Sequence, residues 1–321
     1  AAAAAAATPP PPLPPDWAAS VLRAALEEEE REDTDAPLPL PEALLQWHWA
    51  NLEYANGTQL HQLSSRWWDA DDEFDFGGGH YLLPEGYGGL LSKLQPGLDV
   101  RLRHEVKRVA RTPTGVRVEV TRPDGGAMAL EAEIAICSLP LGVLKAPTCP
   151  VFDPPLPPRK LQAIERLGFG TLNKVLLVFD EAFWERAEGK RDFWGITARS
   201  ARERGVAFQF WNMQRCTGRP MLLALHAGRA ARRRDGVELA AEADAAAVAA
   251  TLRMLRLIFG EAAVPEPSQT LTTRWEDEPF SRGVYSHVAV GASSADYDVM
   301  AEPLWEERLL FAGEATCREH P

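Results

Sequence analysis

Lys174 interrupts an otherwise apolar run, Gly168-Phe-Gly-Thr-Leu-Asn-Lys-Val-Leu-Leu-Val-Phe179, whose composition after a Gly-containing turn predicts a buried strand. An ammonium group left inside a core costs on the order of several kcal/mol unless it is paired or loses its proton. Such a lysine therefore has a task, or it lies on an edge strand and snorkels to solvent. Downstream stand Trp211, Trp275 and Tyr285, aromatic residues whose rings either pack a core or offer a π face to a cation. Upstream, Trp68-Asp-Ala-Asp-Asp72 carries three carboxylates, with Asn56 and His80 nearby in sequence. In a cleft, Asp69, Asp71 and Asp72 would draw in a cationic ligand and accept its hydrogen bonds; on a surface they would be a solvated turn.

These residues sit in a chain of 321 residues, 45% hydrophobic, long enough for one large domain or two. A net charge of -12 and a pI near 5.2 argue against a nucleic-acid binder and suit cationic partners. Cys137, Cys149, Cys216 and Cys317 form neither a CxxC pair nor a metal-like spacing, which predicts reduced thiols and no zinc site. The opening Ala1 to Ala7 tract lacks a basic flank and runs into Pro9 to Pro12, so neither a signal peptide nor a membrane span is expected.

The elements that must position the candidates follow from periodicity. Residues 1–40, Ala-, Pro- and Glu-rich with a short helix from Asp16 to Glu30, predict a linker. Leu44, Leu45, Trp47, His48, Leu52 and Ala55 recur at helical spacing before Asn56-Gly57, and a second helix is expected over Leu60 to Ser65. From Leu98 to Pro140 apolar residues alternate with period two (Leu98, Val100, Leu102, then Val116, Val118, Val120), with a turn at Pro123-Asp-Gly-Gly126. This predicts a β-meander ending in the strand Ile134 to Ser138. A helix through Ile164, the Lys174 strand, strands at Val206 to Trp211 and Met221 to His226, and a long helix from Val237 to Phe259 complete an α/β pattern.

Taken in order, Leu52-Glu-Tyr-Ala-Asn56, Trp68-Asp-Ala-Asp-Asp72, Ser138-Leu-Pro-Leu-Gly-Val-Leu-Lys145, Gly168 to Lys174, Phe210-Trp-Asn212, Arg274-Trp275, Gly283-Val-Tyr-Ser286 and Phe311-Ala-Gly-Glu-Ala-Thr316 resemble the catalytic domain of the lysine-specific histone demethylases, within the FAD-dependent amine oxidase superfamily. The resemblance covers residues 41 to 321. It implies FAD as cofactor, with Lys174 holding a water against the flavin and Trp275 and Tyr285 beside it. Asn56, Asp69, Asp71, Asp72, His80 and Trp211 would receive the substrate. Val106, Ser138, Leu139, Pro140, Gly313 and Glu314 would contact the cofactor.

The implied fold is a fragment of the flavin amine oxidase fold: a mixed-sheet substrate region plus part of a FAD-binding domain lacking its N-terminal Rossmann βαβ. The implied boundaries are 41–76 for substrate-region helices, 77–150 for a FAD-domain part, 151–295 for the substrate region and 296–321 for the return to the FAD domain. The sequence departs from the pattern in having no G-x-G-x-x-G; Gly77-Gly-Gly79 and Gly86-Tyr-Gly-Gly89 have the wrong spacing. Together with the stop at His320-Pro321, this suggests the middle and rear of a larger enzyme. His287 also stands where the family commonly has an aromatic residue. Demethylation of histone lysine in a nuclear chromatin complex is the activity implied. A polyamine oxidase and a non-catalytic interaction remnant are the alternatives.

Overall fold

The computed structural model describes residues 37–74, 76–79, 81–84, 86–186, 191–232 and 240–320. The expected linker through residue 36, its Asp16–Glu30 helix, His80 and the first residues of the Val237–Phe259 helix lie outside them.

Helix α1, Leu40–Asn56, opens with a proline in its first turn and stops at Gly57, whose φ of 63° only glycine adopts without strain. Its buried stripe is Ala43, Gln46, Trp49, Ala50 and Glu53, and Leu44 and Leu45 of the expected stripe face outward. The reason is a buried ion pair. Arg204 lies 3.2 Å from Glu53 and also donates to Gln46 Oε1, so the two polar residues of α1 turn inward to meet it. The second helix expected after Leu60 is one 3₁₀ turn, Leu60–Gln62.

After α2, Gly88–Leu94, the meander is present as β1 Glu105–Arg111, β2 Val116–Thr121 and β3 Ala127–Ala132, all antiparallel. The stretch from Leu98 to Leu102 is not a strand and its apolar side chains are exposed. β4, Ala135–Cys137, instead pairs in parallel with a strand from the far end of the chain. Helix α3, Leu141–Lys145, and strand β5, Val151–Asp153, follow, and β5 extends the meander sheet beside β1.

Helix α4, Pro158–Arg166, leads into β6, Gly168–Phe169, and β7, Asn173–Val178. A five-stranded sheet then assembles in the order β11-β7-β10-β9-β8, from β8 Phe193–Gly195, β9 Gln209–Asn212, β10 Met221–His226 and β11 Gln269–Thr272. After the short α5, Gln214–Thr217, helix α6, Ala240–Phe259, covers one sheet face through Leu252, Met254 and Leu255 against Val175, Leu177 and Leu222. Strand β12, Ser286–His287, pairs with β6. Helix α7, Ala295–Ala301, packs on α4, and β13, Leu309–Phe311, pairs with β4.

Lys160 on α4 is 2% exposed. Its Nζ donates to the carbonyls of Val299 and Met300 at 2.8 Å each and sits 3.9 Å from the centre of the Phe311 ring. It thereby closes the C-terminus of α7 and ties α4 to the end of β13.

Candidate functional site

Successive side chains on a strand point to opposite faces, and directly paired residues share one. Lys174 pairs with Leu225, which pairs with Gln209, while Leu176 pairs with Leu223 and Leu223 with Trp211. Lys174 and Trp211 therefore lie on the same face, the one turned away from α6 and toward α1, where Leu225, Phe208, Ala50, Tyr54 and Trp211 cluster. Lys174 is half-buried. Its ammonium has no partner among the described residues; its backbone N–H donates to Thr273 Oγ1 at 2.8 Å.

The segment entering β7 acts as a ruler between distant parts of the chain. The N–H of Gly170 donates to Tyr285 O at 2.8 Å and that of Val284 to Gly170 O at 2.9 Å, while the N–H of Thr171 donates to Gly57 O at 2.6 Å. Asn173 Oδ1 accepts from Thr273 Oγ1 at 3.1 Å and from the N–H of Trp275 at 3.4 Å. Tyr285, Trp275 and Lys174 are thus fixed within one stretch of backbone, and the glycines are needed for the approach. A Cβ on Gly170 would come within 2.3 Å of Gly57 O, and one on Gly168 within 1.9 Å of His287 Nε2. The Tyr285 hydroxyl donates to Tyr54 O at the end of α1, and burial pushes its pKa well above the usual phenol value.

A cavity of about 460 Å³ opens beside Tyr285, lined among others by Asn56, Trp68, Asp71, His287, Tyr297 and Glu314. A second, of about 500 Å³, is lined by Asp69, Asp72, Glu73 and Phe74 and shares Ala70, Ser294 and Arg318 with the first. The acidic turn is therefore split: Asp71 faces the inner cavity, Asp69 and Asp72 the outer one. Asn56 lines the inner cavity with its amide turned back onto Leu52 O at 3.1 Å. Lys174, Trp275 and Trp211 do not line either cavity; Trp275 is 40% exposed.

The proposed cofactor residues gather at another edge. β4 and β13 are parallel neighbours, so Ser138, Leu139 and Pro140 after one and Gly313 and Glu314 after the other emerge side by side at the carboxyl ends, where α/β sheets bind ligands. Val106 and Leu139 pack on the same core as these strands. Gly313, at φ 123°, has only Ser138 O within 4.0 Å of where a Cβ would stand, which leaves open space along this edge. Glu314 reaches the cavity: its Oε1 accepts from Ser286 N at 2.7 Å and Ser286 Oγ at 2.6 Å, and Ser286 Oγ meets the Tyr297 hydroxyl at 2.9 Å. Burial raises the Glu314 pKa despite these donors, and burial drops that of His287 to about 4, so its imidazole is neutral. Tyr54, Asn173, Thr273, Ser286 and Tyr297, which orient the site, were not singled out from sequence.

The model of the flavin containing amine oxidoreductase family matches residues 8–321. The chain belongs to this family. Curated relatives include a possible lysine-specific histone demethylase 1 of Drosophila melanogaster, 39% identical over 298 residues, covering 87% of this chain and 32% of that protein. A lysine-specific histone demethylase 1 homolog 3 of Oryza sativa subsp. indica is 42% identical over 302 residues, covering 94% of this chain and 36% of that protein. The chain thus spans about a third of the length of these relatives. Among solved structures, putrescine oxidase bound to putrescine superposes with a TM-score of 0.54 at 24% identity, covering 70% of this chain and 45% of that one. The amine oxidase fold expected from the sequence is therefore the fold observed, and FAD is the flavin of the family. The open strand-end edge at Ser138 and Gly313 fits such a group. Among the described residues no helix is long and apolar enough to cross a membrane.

Proposed function

We propose that the protein carrying this chain is an FAD-dependent amine oxidase that demethylates mono- and dimethyl-lysine on histone tails in the nucleus, with oxygen as acceptor and formaldehyde and hydrogen peroxide as products. The observation that carries this reading is the Gly168–Lys174 ruler, which ties Tyr285, on the wall of an acidic cavity, to Trp275 and to Lys174, whose ammonium has no partner among the described residues. Identities of 39% and 42% to relatives named as histone demethylases favour it over polyamine oxidation.

In this reading Val106, Ser138, Leu139, Pro140, Gly313 and Glu314 hold the cofactor. When bound, the flavin supplies the two-electron oxidation of the N-methyl carbon. The chain's own residues prepare the amine. Asp69, Asp71 and Asp72 attract the cationic tail, and the aromatic wall at Tyr285 keeps water from the amine, which lowers the amine pKa and frees its lone pair. Lys174 keeps a water in place at the reacting edge. Water then completes the C–N cleavage and the methyl leaves as formaldehyde.

The test is product analysis on the full-length protein. Formaldehyde and hydrogen peroxide in equal amounts from a dimethyl-lysine histone peptide are expected. Oxidation of spermine with an inert peptide would replace this proposal by a polyamine oxidase.

A further inference from the structure

The buried Arg204 meets two side chains of one helix. Its guanidinium lies 3.2 Å from Glu53 Oε1 and donates to Gln46 Oε1 at 3.3 Å, with its central carbon 5.6 Å from the centre of the Trp49 ring. Gln46 and Glu53 stand about two turns apart on the buried stripe of α1, so a rigid fork that reaches both fixes the rotation of the helix and its position along its own axis. A buried ion pair adds little net stability, because desolvation of the two charges offsets their attraction. Its effect here is on geometry.

Two routes lead from Glu53 toward the candidate site. Its carboxylate is seated against the turn after β10, where a Cβ on Gly228 would stand 2.2 Å from Oε2. The N–H of Ala227 donates to Gly205 O at 3.0 Å, which joins this turn to the segment carrying Arg204. The same turn follows directly on Leu225 and His226, the residues paired with Lys174 and Asn173. In the other direction Tyr54, the next residue of α1, offers its carbonyl to the Tyr285 hydroxyl, and Gly57 O accepts from the N–H of Thr171 at 2.6 Å. Glu53 thus stands between the strand end that carries Lys174 and the acceptor that holds Tyr285 on the cavity wall. Neither Glu53 nor Arg204 lines the inner or the outer cavity. We propose that Glu53, clamped by Arg204, is a positioning residue for the amine oxidation: it sets the last turn of α1 against the Lys174 end of the sheet, and through the Tyr54 carbonyl it fixes the Tyr285 ring. This deepens the proposed function and rests on it.

A double-mutant cycle on the full-length protein tests the coupling. Glu53→Gln, Tyr285→Phe and the two together are compared by kcat per bound flavin, so that unfolded molecules do not count. Tyr285→Phe removes the hydroxyl through which Glu53 acts. Glu53→Gln should lower kcat about tenfold when Tyr285 is present, within the range of a small misplacement near reacting atoms, and by less than about twofold in the Tyr285→Phe background. Equal falls in the two backgrounds would overturn the proposal. So would an unchanged kcat per flavin, whatever the thermal midpoint, since a purely structural pair moves the midpoint alone. If Glu53→Gln does not fold, Glu53→Leu with Arg204→Met replaces both charges by apolar volume. That variant should keep a near-wild-type midpoint with a low kcat per flavin, and a recovered kcat would overturn the proposal. The substrates are a dimethyl-lysine histone peptide and spermine. A wild type that oxidises spermine alone overturns the demethylase reading and leaves the cycle, run on spermine, to decide this one; a wild type inert on both overturns both.

Discussion

Two lysines divide the molecule into two kinds of interior. Around Lys160, between α4, α7 and β13, every valence of the ammonium is met by a carbonyl or a ring, and the side chain is sealed from water. Around Lys174, on the face of the five-stranded sheet turned toward α1, the ammonium is half-buried and without a partner among the described residues. The sequence singles out Lys174 for interrupting an apolar strand and passes over Lys160 in Pro-Arg-Lys-Leu-Gln, a string that looks solvent-facing. Burial alone therefore does not mark a working lysine. A satisfied one holds the fold together, and an unsatisfied one is available for a ligand or a water.

Substitution at each lysine tests this contrast. Lys174→Met in the full-length protein should cut kcat by about a hundredfold, the scale of losing one well-placed polar group in a dry site, with an unchanged thermal midpoint; near-normal turnover would make Lys174 a snorkelling strand residue. Lys160→Ala should behave in the opposite way, lowering stability by about 3 kcal/mol in urea denaturation because two helix-end carbonyls are left without a donor. Unchanged stability there would erase the contrast. A smaller effect is expected at the acidic turn. Asp71→Asn with Asp72→Asn should raise the peptide KM several-fold at low salt, and the difference should vanish near 1 M salt, where the Debye length is about 3 Å.

The subtlest effect is on pH dependence. Burial lowers the Lys160 pKa from 10.5 to about 8. Below that value both folded and unfolded states hold the proton and the cost of burying the charge is fully present. Between about 8 and 10.5 the unfolded chain binds more protons, so stability of the wild type relative to Lys160→Met should rise with pH. Denaturation midpoints at pH 7, 8.5 and 10 would show it, and a fall across that range would reverse the assignment.

What the sequence revealed, and what it hid, has identifiable causes. The bounds of α1 were legible because Pro41 and Gly57 punctuate it, but its inner face was not, since Gln46 and Glu53 read as polar until Arg204, about 150 residues away, is seen to meet them. Leu98, Val100 and Leu102 alternate like a strand, yet no partner strand among the described residues pairs with them. Of the candidate site, Lys174 and the acidic turn announce themselves by composition. The supports do not: Tyr54 contributes only a carbonyl to Tyr285 across 231 residues, and Thr273 a hydroxyl to Lys174 across 99.

The meeting of Gly57, Gly170 and the Val284–Tyr285 backbone also bears on how the chain reaches its native state. Three segments more than a hundred residues apart are joined there by main-chain hydrogen bonds at glycines that leave no side chain between them. Contacts of such sequence separation require large loops to close before they contribute, so they form slowly and late. The site would then be assembled last, after the meander and the sheet under α6 have collapsed. The amides of Gly170 and Thr171 should exchange with solvent only through a large cooperative opening, which makes their exchange rate a report on whether the whole domain is folded.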